Sequence, residues 1–183
     1  RIGLGKNLNY DFFEEFIDEI LKSGVKIIYI HARNALLTGG ISPSQNRTIP
    51  PLDYNFVKRI KLKYPNITFV LNGGIDTIGK ASELIKHFDG VMLGRLIQNN
   101  PFLLREVDYI FFNSCKTIEV SEDIILDYFN YIKNKVDNES IFRLLSPILQ
   151  IFFGIPNSKV IKSQIHDYMK NKNLNSIEDI FIK

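Results

Sequence analysis

The sequence predicts an α/β unit with parallel strands, followed by an all-helical unit. Two observations carry that expectation. Up to Arg95, segments with helical spacing alternate with short runs that are apolar throughout. Beyond Arg95 the short runs stop and only helical spacing remains. Strands that are apolar throughout and separated by helices pair in parallel, with both faces covered.

The elements follow in order. Residues 9–23 place Phe13, Phe16, Ile17, Ile20 and Leu21 on one helical face, and Gly24 ends the helix as a left-handed cap. Residues 25–30 form an Ile/Val-rich strand closed by His31. A polar loop covers residues 33–51. Asp53 caps a helix that runs to about Lys63, with Phe56, Val57 and Ile60 inside and Pro65 beyond its end. Residues 67–71 are a second strand. Thr77 caps a helix with Ala81, Leu84, Ile85 and Phe88 inside, and residues 90–93 are a third strand. The opening Arg1-Ile2-Gly3 reads as the tail of one more strand. Residues 101–112, 121–136, 139–153 and 158–171 read as helices, with a short one near Ile177. The polar run at residues 113–120 suggests a boundary between the two units.

Bulk composition narrows the class. The 183 residues are 45% hydrophobic and 23% charged, enough for a real core and typical of a soluble globular chain. No apolar run approaches the length of a membrane span. No secretory signal is seen, and the chain opens on Arg1 and an apolar-glycine stretch, which reads as the middle of a longer protein. A formal charge of +3 permits an acidic partner without demanding one. The single cysteine, Cys115, excludes an intrachain disulfide and a cysteine-based metal cluster, so a reducing compartment and no metal are expected.

The chemistry concentrates where strands end. His31-Ala32-Arg33, Asn72-Gly73-Gly74 and Gly94-Arg95 each follow an apolar run. In a β/α barrel the carboxyl ends of the strands build the active site, and the last two commonly grip a phosphate. Glycine lets backbone N–H groups approach a phosphate closely, and a following helix N-terminus adds positive partial charge. Arg95 offers a fixed charge with a forked donor set, and Asn72 both donates and accepts. A glycine pair after a strand is as often only a tight turn, and a lone histidine is more often structural. Three such strand ends in succession favour a phosphate-bearing cofactor.

Longer motifs sharpen that reading. His31-Ala32-Arg33-Asn34-Ala35-Leu36-Leu37, continuing through Ser42-Pro43-Ser44-Gln45-Asn46-Arg47-Thr48-Ile49-Pro50-Pro51-Leu52, resembles a segment specific to the tRNA-dihydrouridine synthase A group of flavin-dependent enzymes. Asn72-Gly73-Gly74-Ile75, the run from Asp89 to Arg95, and Phe152-Phe153-Gly154-Ile155-Pro156 resemble further motifs of that group. The resemblance covers nearly the whole chain. It implies the second half of a TIM (β/α)8 barrel followed by a small all-helical domain. Residues 1–112 would be a partial FMN-binding barrel, from the end of strand 5 through strand 8, and residues 113–183 a helical tRNA-binding domain. His31, Asn72, Gly73, Gly74, Gly94 and Arg95 would contact FMN, and Arg33 would stand near the substrate side of the flavin. The implied reaction is reduction of uridine to 5,6-dihydrouridine in the tRNA D loop, with NADPH as reductant, on a protein expected to be monomeric when complete. A cytoplasmic location is expected, an organellar one being the alternative.

The family's proton-donating cysteine sits in an Asn-x-x-Cys-Pro context that does not occur in this sequence, and Cys115, in a polar stretch, is a poor substitute. The chain is therefore expected to be inactive alone. Two other readings stay open: a truncated tRNA-binding remnant, and another FMN-dependent barrel oxidoreductase. On the RNA side the resemblance puts Ser44, Arg47, Lys159 and Lys162 against tRNA. Lys159 and Lys162 lie one helical turn apart, on one face. The basic run Lys58, Arg59, Lys61 and Lys63 reads instead as a solvated helix face.

Overall fold

The computed structural model describes residues 1–37, 39–114, 122–135, 138–152 and 156–171. They divide into two compact units, Arg1–Gly94 and Arg95–Lys183.

In the first unit, helix α1 (Tyr10–Leu21) precedes strand β1 (Ile27–His31). Helix α2 (Tyr54–Lys63), strand β2 (Thr68–Asn72), helix α3 (Ile78–Leu84) and strand β3 (Gly90–Met92) follow. The strands form a parallel sheet in the order β1-β2-β3. Sequence chemistry starts and stops these elements as expected. The side chains of Asn9, Asp53 and Thr77 accept from Phe12, Phe56 and Lys80 N–H groups, satisfying donors that a helix start leaves open. Gly24 has φ +84°, the left-handed value that ends the α1 region without a Cβ penalty. The opening segment runs parallel to the chain leaving β1: a bridge pairs Leu4 with Ala35, and Ile2 N–H donates to the Arg33 carbonyl at 3.2 Å, Ala35 N–H to the Gly3 carbonyl at 2.8 Å and Gly5 N–H to the Ala35 carbonyl at 2.8 Å.

One face of the sheet carries the core. Ile30, Phe69 and Leu71 are buried with Phe13 and Ile17 of α1 and with Phe56, Val57 and Ile60 of α2. Alternation along the strands sends Ile27, Tyr29 and His31 to the other face. By register, Thr68, Val70, Asn72 and Met92 join them there. On that face Ile27, Tyr29 and Met92 are 55%, 64% and 42% exposed.

Three residues of the basic run on α2 are engaged. Arg59 lies 3.6 Å from the centre of the Tyr10 ring, Lys61 pairs with Asp89, and Lys63 pairs with Glu14. Asp89 also accepts from the Phe69 N–H at 2.9 Å. These contacts stitch α2 to β2, to the start of β3 and to α1, as a structural face would.

In the second unit the described residues form helices α4 (Arg95–Asn99), α5 (Leu104–Phe112), α6 (Glu122–Lys133), α7 (Ile141–Ile151) and α8 (Ser158–Asn171). A short 3-10 turn, Pro101–Leu103, joins α4 to α5. The core gathers Phe129 and Ile132 of α6, Ile141, Leu144, Leu145 and Ile148 of α7, and Ile165 and Met169 of α8. The two compact units part between Gly94 and Arg95. Helix α4, which the sequence reading did not foresee, lies against α7. The helix expected near Ile177, and Cys115, lie outside the described residues.

Candidate functional site at the carboxyl ends of the strands

The register of the sheet builds the site. His31, the last residue of β1, pairs with Asn72, the last of β2, which in turn pairs with Met92 at the end of β3. His31 and Asn72 are thus neighbours on the face away from the core, both half-buried. The Asn72 amide points along the rim and donates to the Met92 sulfur at 3.4 Å.

The chain leaves β2 through Gly73 and Gly74, with φ of +113° and +64°. These positions demand glycine twice over. L-residues avoid such angles. A Cβ on Gly73 would also stand 2.6 Å from His31 Cδ2 and 2.8 Å from Nε2, and one on Gly74 would run into Leu52. The histidine ring is therefore packed directly over the glycine backbone. Both carbonyls are tied back: the Tyr54 hydroxyl donates to Gly73 O at 2.7 Å, and Lys80 Nζ donates to Gly74 O at 2.6 Å. Burial holds the Tyr54 phenol above its ordinary pKa, opposed by the nearby charges of Lys80 and Arg33. Gly74 lies beyond the strand pairing, and among the turns and loops of the described residues no backbone carbonyl accepts from its N–H, so the side-chain-free turn with its carbonyls tied back has anion-binding capacity.

Gly94 lies two residues beyond β3, exposed, with open space where a Cβ would be. Arg95 is exposed and opens α4, the first element of the second unit. Of the six residues expected to hold a cofactor, the sheet brings His31, Asn72, Gly73 and Gly74 together, and Gly94 follows the neighbouring strand.

The long loop after β1 is more built than its polar sequence suggested. It contains a 3-10 turn, Gln45–Arg47. Ser42 and Gln45 exchange hydrogen bonds: Ser42 N–H donates to Oε1 at 2.8 Å and Gln45 N–H to Oγ at 3.2 Å. Ser44 and Arg47 are exposed on this turn. Arg33 also supports this loop. It is buried, and its Nη1 donates to the carbonyls of Thr48, at 3.2 Å, and of Pro50. Residue type at a strand end says nothing about which way a long side chain turns, so sequence reasoning missed this role, as it missed Asn46 beside it. Arg1, part-buried, has its guanidinium pKa lowered by burial and then by the charges of Arg33 and Arg47. On α8, Lys159 is exposed and Lys162 half-buried, while Ile165 and Met169 face the core.

These features define a class: a parallel α/β protein that gathers a histidine, an amide and a glycine turn at the carboxyl rim of its sheet. The chain belongs to the dihydrouridine synthase (Dus) family, whose model matches residues 1–182. It is 35% identical over 160 residues to the tRNA-dihydrouridine(20/20a) synthase of Shewanella oneidensis, covering 87% of this chain and 48% of that protein. It is 37% identical over 161 residues to the enzyme of the same name from Yersinia pestis, covering 87% and 46%. For that of Vibrio vulnificus the identity is 32% over 169 residues, covering 91% and 52%. The chain spans about half the length of the curated relatives it matches.

Proposed function

We propose that this chain is the cofactor-gripping and RNA-docking half of an FMN-dependent tRNA-dihydrouridine synthase. In this reading residues 1–112 are the second half of a TIM barrel and residues 113–183 a helical tRNA-binding domain. The observation that carries it is the His31–Gly73 interlock, in which paired strand ends set an imidazole against a glycine turn that has no room for a side chain.

The donor set fits a phosphate-bearing flavin. Gly73, Gly74 and Gly94, with no side chains in the way, would let the phosphate approach the backbone, and Arg95 is the charge that the resemblance assigns to it. Asn72 offers an amide to ring or ribityl oxygens. His31 is fixed in orientation by the backbone beneath it, so the group it touches is fixed too. Bound FMN supplies hydride chemistry, with NADPH as the reductant that reloads it. The chain's own residues orient the cofactor and dock the RNA, so that a uridine drawn out of the folded tRNA meets the reacting face. Ser44 and Arg47 on the loop, and Lys159 and Lys162 on α8, are the proposed tRNA contacts. Arginine forks onto phosphate oxygens, and lysine contributes charge with less direction. The relatives are named for positions 20 and 20a, and we carry those positions over to this chain's substrate.

The test uses the complete protein containing this chain. Incubated with unmodified tRNA, NADPH and FMN, it should convert uridines of the D loop to dihydrouridine, read as a gain of two hydrogens by mass spectrometry. No gain at any D-loop position, with RNA and flavin both bound, would overturn the assignment.

A further inference from the structure

The loop that carries Ser44 and Arg47 is held from two sides, by Asn46 and by Arg33. We propose that Asn46 and Arg33 are positioning residues for tRNA, fixing the loop so that Arg47 is presented to an RNA phosphate in one orientation. The proposal rests on the reading of Arg47 as a tRNA contact.

Asn46 sits beside Arg47 in the 3-10 turn, with its side chain turned inward. Its amide uses both ends on one residue. Oδ1 accepts from the Leu36 N–H at 3.0 Å, and Nδ2 donates to the Leu36 carbonyl at 2.7 Å. A side-chain amide paired this way imitates a peptide in a ladder and fastens the turn to the segment that leaves β1. Arg33 holds the other side of Arg47. It is buried, rooted at the strand end by its N–H to the His31 carbonyl at 2.7 Å, and reaches under the loop to the Thr48 and Pro50 carbonyls. The loop then returns to the same strand end, where the Asp53 N–H donates to the Ala32 carbonyl at 3.0 Å.

The chain is thus pinned at residues 46, 48 and 50, and Arg47 lies between the pins, exposed. A loop ordered before binding does not lose its backbone freedom when the RNA arrives. The guanidinium fork also needs direction to engage a phosphate with two donors, and direction comes from the backbone that bears it. Asparagine is suited to position 46 because it alone combines a short donor and acceptor at this reach. Aspartate keeps the acceptor for Leu36 N–H but sets an anionic oxygen against the Leu36 carbonyl.

The experiment compares Asn46→Ala, Asn46→Asp, Arg33→Lys and Arg47→Ala in the complete protein, with FMN content as the control for folding of the barrel. Asn46→Ala should raise KM for unmodified tRNA by about 5- to 20-fold while kcat at saturating tRNA stays within about 2-fold. Asn46→Asp should do the same, and Arg33→Lys should show a smaller rise. Trypsin cleavage after Arg47 should accelerate at least about 10-fold in Asn46→Ala, because local opening exposes the bond. In a double-mutant cycle, Asn46→Ala should add little to Arg47→Ala, since it acts through that residue. Unchanged protease sensitivity, full additivity, or a fall in kcat and FMN content at constant KM would overturn the proposal. If the wild-type protein makes no dihydrouridine, the function reading fails by itself. A tRNA gel shift on the same variants and the trypsin rates then still decide whether Asn46 presents Arg47.

Discussion

At the scale of single residues, Gly73 and Gly94 look alike in sequence and differ in structure. Gly73 has a left-handed φ and the His31 ring against it, whereas a side chain at Gly94 would meet nothing within 4 Å. Gly73→Ala is expected to lower stability by about 1–3 kcal/mol through backbone strain and to empty the proposed flavin site. Gly94→Ala should hold stability within about 0.5 kcal/mol and still weaken FMN retention, because only the ligand would feel the new methyl. Thermal melts and flavin absorbance of the complete protein separate the two, and equal melts would contradict the contrast. Asp89 offers a pH test. Burial alone would raise its pKa, but hydrogen bonds from Lys61 and the Phe69 N–H outweigh that and hold it below the ordinary value. A depressed folded pKa contributes stability that is present above the unfolded value and is lost as pH falls through the folded one. Asp89→Asn should therefore lower Tm at neutral pH, and the gap from wild type should close as pH drops below about 4. A gap that persists at acid pH would show that the carboxylate charge is not what stabilises the fold. Arg33 marks the limit of sequence reasoning at this scale: its motif was visible, but its hydrogen bonds into the loop depend on side-chain direction.

At the scale of elements the sequence was most legible. The caps at Asp53 and Thr77 accept the N–H bonds that their residue types promise. The strands lie within two residues of their expected bounds, because apolar runs bracketed by glycine and polar residues leave few alternatives. The exception, α4, is only five residues long, squeezed between Gly94 and Pro101, too short to show a helical period. The 3-10 turn at Gln45–Arg47 escaped for the same reason. Two predictions belong here. Asp53→Ala should cost about 1 kcal/mol by removing the α2 cap, measured by denaturant unfolding. On α8, replacing both Lys159 and Lys162 by Ala should reduce the slope of log K against log salt for tRNA binding by about 1.5–2. A parallel loss of affinity with no change in slope would mean that these lysines do not meet phosphates.

At the scale of the whole molecule, the sheet has one face packed by α1 and α2 and another on which Ile27 and Tyr29 stand more than half exposed. Apolar strand residues of this kind ordinarily face a neighbour. If the chain is half of a barrel, those residues line its interior once the upstream strands are present. The isolated 183-residue segment should then bind a hydrophobic dye and show weak flavin absorbance, and the complete protein should lose the first property and gain the second. Stoichiometric FMN on the segment alone would count against this. The family was legible from motifs spread over the chain, and the short helix α4, which packs against α7, was not, since five residues leave no period to read.

The interlock of His31, Leu52, Gly73 and Gly74 also bears on how this rim can vary. A Cβ at either glycine meets a side chain from a different segment, His31 in one case and Leu52 in the other. Neither glycine can be exchanged by a single step without disturbing a partner more than twenty residues upstream. The four positions therefore form an epistatic unit, and a library that randomises the glycine turn alone would sample almost only dead variants. Directed evolution of this rim would have to open positions 31 and 52 together with 73 and 74.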